Sequence, residues 1–161
     1  MLTRWLIAAI HLLAFGFALA SILRRTRGLR RCTSTEALPM IFSADNGWGV
    51  SALVLIVTGV MRAFGGFEKG ADYYLHAPFF HVKMAALVLI LALEVAPMMA
   101  LLRWRLAVRR GDVPDLTGAR KYARIGTWQT LLLVVMVFAA AGMARGIGFD
   151  TGLDSGAQAG G

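Results

Sequence analysis

The sequence is short of acid, histidine and cysteine. Only nine of its 161 residues are Asp or Glu, three are His, and the single cysteine is Cys32. One thiol excludes an intrachain disulfide framework and a thiolate metal centre within one chain. Charged residues reach only 16% against 58% hydrophobic, with a mean hydropathy of +0.65. Those proportions lie outside the range of water-soluble domains. No internal repeat is evident, and the one low-complexity segment is the tail GLDSGAQAGG, too small and polar to pack.

What the chain does have is long apolar runs. Four of them, about Trp5–Leu23, Gly47–Phe64, Val82–Leu102 and Thr127–Gly146, approach the roughly 20 residues needed to cross a hydrocarbon core of about 30 Å. The expected fold is therefore all-α, a four-helix transmembrane bundle with short loops. Residues 1–149 form one membrane domain and 150–161 a disordered tail. In the loops, Asp45 and Asn46 suit an N-cap for the second helix, GDVPD reads as a turn, and LTGARKYARIG as a short interfacial helix. Trp5, Trp48, Trp104 and Trp128 fall near span ends, where indole rings anchor at the interface.

A net charge of +8 would suggest nucleic acid in a soluble protein, but its placement along this chain argues otherwise. Five arginines (Arg24, Arg25, Arg27, Arg30, Arg31) follow the first span, and seven basic residues separate the third from the fourth. The other side holds five, Arg4, Arg62, Lys69, Lys83 and Arg145. The asymmetry puts both basic loops in the cytoplasm and both termini outside, with the bilayer and its anionic headgroups as the partner and no nucleic acid. Ala18-Leu19-Ala20-Ser21 imitates a signal cleavage site, but the arginines after it favour an uncleaved first helix.

The polar residues then sort by depth. His11 lies about 10 Å into the first helix from its outer end, among Ile10, Leu12 and Leu13. Arg62 ends the second span, His81 and Lys83 open the third, and Arg145 closes the fourth, so all three histidines, His76 included, gather at the outer face. Glu94 is deeper. It projects within about 20° of Lys83 but roughly 16 Å further along the axis, so each needs its own partner or a hydrated path between them. His81 points about 160° away from Lys83 if the helix has already begun there. Pro97 removes a backbone donor just beyond Glu94, while Ser51, Thr58 and Arg62 form an inward stripe with Gly59 permitting a close neighbour.

Each feature has a structural explanation: interfacial histidines, snorkelling arginines, and Glu94 paired with Gln129 or a serine. Three functional readings use them. In the first, His11 with His81, or His11 alone, ligates the iron of a b-type haem or holds a related porphyrin, and Arg62, Lys83 and Arg145 neutralise its carboxylates. In the second, the histidines form the mouth of a proton pathway with Glu94 within; Lys83 and Glu94 are the candidate catalytic residues, and a porphyrin or quinone is the candidate small-molecule partner. In the third, the outer loop docks another membrane protein and the chain is a non-catalytic accessory or assembly subunit.

RWLIAAIH, SADNGWG, TGVMRAFGGFEKGADYYLHAPFFHVKM, LEVAPM and MARG together resemble the domain of unknown function 2214 family of small bacterial integral membrane proteins. The resemblance covers nearly all of the chain and implies a multi-pass protein of the bacterial inner membrane. More remotely, AIH in the first helix and HVKM in the third resemble the four-helix membrane protoporphyrinogen oxidase. That resemblance implies haem, tetrapyrrole oxidation and roles for His11, His81 and Lys83. Glu94 stands where that family is expected to carry histidine.

The expected orientation has a direct check. Alkaline phosphatase fused after Gly161 should be active, and the same reporter fused at Pro114 inactive; the opposite pattern would invert the topology.

Overall fold

The computed structural model describes residues 2–64 and 78–145. The connection holding His76 and the tail at 150–161 lie outside the described residues. Four helices carry the fold: α1 (Leu2–Arg30), α2 (Leu38–Phe64), α3 (Pro78–Arg110) and α4 (Ala119–Ala144), with a 3₁₀ turn at Thr35–Ala37 leading into α2. All four are long and apolar enough to cross a membrane, and there is no strand among the described residues. The all-α four-helix bundle is the observed architecture.

The helices run well past the apolar stretches at the basic end. α1 continues through Arg24, Arg25 and Arg27, α3 extends to Arg110, and α4 begins at Ala119, so LTGARKYARIG mostly joins the fourth helix instead of forming a separate one. α2 starts seven residues ahead of Asp45, which places Asp45 and Asn46 on the helix surface and removes them from any capping role. A helix keeps its own backbone hydrogen bonds whether lipid or water surrounds it, so loss of apolar side chains does not end it. α3 stops where Gly111 takes φ 80°, with Asp112 N–H donating to Ala107 O and Gly111 N–H to Val108 O, a left-handed glycine termination.

α1 packs closely on α2 and α4, and α3 on α4. Backbones of α2 and α3 make no comparable approach; long side chains join them instead. Buried apolar groups form a core at the basic end around Leu29, Ile41, Leu101 and Trp104, another at mid-bundle around Ile22, Trp48, Ile90 and Leu133, and a small one of Phe80 and Met143 at the far end. Trp5 and Trp128 are exposed as anchors should be, but Trp48 and Trp104 are core residues, 4% and 6% exposed. Burial also pushes the Cys32 thiol above its ordinary range.

Close helix approach depends on small residues, because lipid offers no hydrophobic drive for helices to associate. A Cβ on Gly47 would sit 2.7 Å from Ser21 Oγ, and one on Gly126 would run into Thr26 Oγ1. Gly126→Ala should therefore cost about 1–3 kcal/mol through overpacking. Adding Thr26→Ala removes the offending oxygen and should restore most of the loss in thermal unfolding in detergent. If Thr26→Ala brings no recovery, the α1–α4 approach is not set at this point.

Candidate functional site

The ionisable groups inside the bundle separate into two places. The first is a four-helix polar knot toward the basic end. Arg25 of α1 is only 1% exposed, yet one face of its helix, Ala18, Ser21, Ile22, Arg25 and Leu29, is buried throughout, at the 3-to-4 spacing of an inward stripe. Its neighbours Arg24, Arg27 and Arg30 are exposed. Arg25 Nη1 donates to Asp45 Oδ1 at 2.8 Å and to Glu94 Oε1, while Nη2 donates to Glu94 Oε2 at 2.7 Å and Gln129 Oε1 at 3.0 Å. Gln129, fully buried, returns Nε2–H to Glu94 Oε2 at 2.6 Å and to Ile90 O at 3.3 Å. The Trp48 ring lies 5.8 Å from the Arg25 guanidinium.

Asp45 is shared. Its Oδ2 accepts from Arg105 Nη2 at 2.7 Å, and Arg105 also donates to Asn46 Oδ1 at 2.8 Å and Phe42 O at 3.2 Å, with its guanidinium 4.9 Å from the Phe42 ring. Two arginines and two carboxylates thus meet with no net charge, drawing one group or more from every helix. This is what allows charges to persist in a membrane bundle: each is paired and hydrogen-bonded. Arg25 Nε, Arg105 Nε and Thr26 Oγ1 are buried polar atoms without a hydrogen-bond partner among the described residues, the kind of group that ordered water satisfies. Pro97 is buried three residues beyond Glu94, inside an unbroken α3.

The second place is the opposite end. His11 is half-buried on α1, its Nδ1 2.7 Å from Thr58 Oγ1, and the ring packs against α2, with Cε1 3.6 Å from where a Cβ on Gly59 would lie. Thr58 spends its one hydroxyl proton on Val54 O at 2.6 Å. With that proton on Val54 O, Thr58 Oγ1 can accept from His11 Nδ1–H, the tautomer in which Nε2 is the unprotonated nitrogen. Ser51 and Thr58 are buried and Arg62 half-buried, so the expected stripe on α2 does face inward. Lys83 is half-buried on α3, whereas His81 is exposed and edge-on to Phe80, with ring centroids 6.2 Å apart. Arg145 is exposed at the C-cap of α4, where its backbone N–H bonds Ala141 O and Gly142 O.

Among the residues expected from sequence, Glu94 is thus brought together with Gln129, and His11 with Thr58. His81 and Arg145 lie at the same end of the bundle but on its surface. Any acid–base role for Glu94 has to operate through Arg25 and Gln129, which occupy both of its oxygens. Among the described residues no group of three or more His, Cys, Asp and Glu side chains could hold a metal ion. In the sequence Arg25 reads as one of five loop arginines and Asp45 as a helix cap, so neither signals a place in the interior network.

A family model described as "Predicted membrane protein (DUF2214)" matches residues 3–148. The chain belongs to the DUF2214 family. That match spans both polar places and all four helices of this DUF2214 protein. Neither the curated proteins nor the solved structures gave a match.

Removing Arg25 should expose how much the knot holds. Arg25→Ala leaves two mostly buried carboxylates without their shared cation and should cost about 3–5 kcal/mol. Combined with Glu94→Ala the loss should fall short of the sum by about 0.5–3 kcal/mol. Thermal unfolding of the four variants in detergent measures both; strict additivity would mean the two side chains do not interact.

Proposed function

We propose that this membrane protein binds a b-type haem or a related porphyrin at the end of the bundle opposite the basic loops, near the outer leaflet of a bacterial inner membrane. There it takes part in electron transfer or tetrapyrrole oxidation. The observation that carries the reading is the His11–Thr58 hydrogen bond. A histidine held through Nδ1–H by an oxygen acceptor is the arrangement in which a second shell orients a ring for ligation through Nε2. The donor set fits the group: a half-buried imidazole between two helices, with Arg62 one turn beyond Thr58 on the same helix.

When bound, haem would supply one-electron chemistry at its iron. The chain's own contribution is binding and orientation. His11 would hold the iron, His81 at the same end of α3 is the second candidate ligand, and Arg62, Lys83 and Arg145 would meet the carboxylates. Lys83, half-buried at this end, would move a proton there, while Glu94 lies in the network of Arg25 and Gln129 below. The same end of the chain would hold a porphyrin or quinone as partner. The full engagement of Glu94 also favours a second reading, a non-catalytic accessory or assembly subunit that docks a membrane partner through its outer loop.

Protein extracted from cells supplied with haem precursor should show a Soret band. His11→Ala should abolish it, and Thr58→Val should lower haem occupancy severalfold while the bundle keeps its helical content. A colourless wild type that copurifies with one membrane protein would overturn haem binding in favour of the accessory reading.

A further inference from the structure

At the basic end, away from His11, the 111–118 connection folds back on α3 and encloses a half-open cavity of about 370 Å³ between α3 and the start of α4. Its walls include the Trp104 and Tyr122 rings, set edge to face with centroids 6.0 Å apart, together with Pro114. Its polar lining carries one cation and one anion, Arg103 and Asp115. Arg103 Nε donates to Met99 O at 3.3 Å, and its two Nη groups make no hydrogen bond among the described residues, leaving a planar fork suited to a phosphate. Asp115 Oδ1 accepts the Thr117 N–H at 3.0 Å, and the side chain is exposed at the cavity. The Thr117 donor holds the Asp115 carboxyl below the usual carboxylate range.

Depth decides what such a cavity meets. From Pro78 to Arg103 the axial rise is about 38 Å, longer than a hydrocarbon core of roughly 30 Å, so the cavity lies at headgroup level. We infer that it is a headgroup site for an aminophospholipid of the phosphoethanolamine type, with Arg103 on the phosphodiester and Asp115 on the ammonium. The charge pair inside one cavity matches a zwitterion better than a purely anionic headgroup, which Asp115 would repel. A quaternary ammonium lacks the N–H that the Asp115 carboxylate would accept. The aromatic and Pro114 walls suit the glycerol and the first methylenes of the chains.

The test is native mass spectrometry of the full chain released from nanodiscs of mixed phosphatidylethanolamine, phosphatidylglycerol and phosphatidylcholine. Retained lipid should be mainly phosphatidylethanolamine. Arg103→Ala and Asp115→Asn, both at exposed positions, should each lower its retention about tenfold, the value of one lost charge-assisted hydrogen bond. Arg31→Ala, which removes a charge from the same end but outside the cavity, should leave retention unchanged. The inference is overturned if phosphatidylglycerol or phosphatidylcholine is retained as well, if either cavity variant keeps its lipid, or if Arg31→Ala loses it equally. Release of the lipid by an equal concentration of water-soluble phosphoethanolamine would contradict a membrane source.

Discussion

The bundle depends on one buried cation. Arg25 leaves α1 into the interior and binds Asp45 of α2, Glu94 of α3 and Gln129 of α4. Helices surrounded by lipid gain little from burying one another's apolar faces, since a leucine is as well solvated by acyl chains as by another leucine. Geometry and polar bonds must supply the specificity. A guanidinium with donors directed at three helices at once admits one arrangement of them, because any slip strands a charge in a medium that cannot solvate it.

The remainder of the packing follows from that requirement. α1 sits centrally, against α2 on one side and α4 on the other, and glycines at the crossing points let the backbones come near enough for Arg25 to reach across. α2 and α3 are not held by backbone approach, so Arg105 bridges them by closing on Asp45 from the far side. Charge balance is local: two arginines against two carboxylates. The surplus basic residues remain outside the bundle, where they can meet headgroups. Nearer the opposite end the histidine sits between α1 and α2, joined to Thr58 of the second helix.

Much of this was legible in the sequence, and what was missed has a common cause. Four apolar runs specify four helices because the bilayer permits few other spanning structures, and Glu94 announces itself as a residue needing a partner. Gln129 was within view as that partner. Arg25 was not, since it belongs to a run of five arginines that reads as a solvated loop. The signal lay in periodicity: Ala18, Ser21, Ile22, Arg25 and Leu29 keep one inward stripe across the point where hydrophobicity ends. The same error moved Asp45 to a helix cap and Trp48 and Trp104 to the interface. In each case a boundary drawn from hydropathy was taken as the end of the helix, when helices extend beyond lipid wherever their side chains find partners.

The knot at Arg25 is most directly tested by solvent exchange of its guanidinium protons, followed by NMR on arginine-labelled protein in detergent. A bound, buried guanidinium predicts separately resolved Nη–H signals that exchange far more slowly than those of Arg24 or Arg27 on the same helix. Signals averaged and exchanging like those of the exposed arginines would contradict the account.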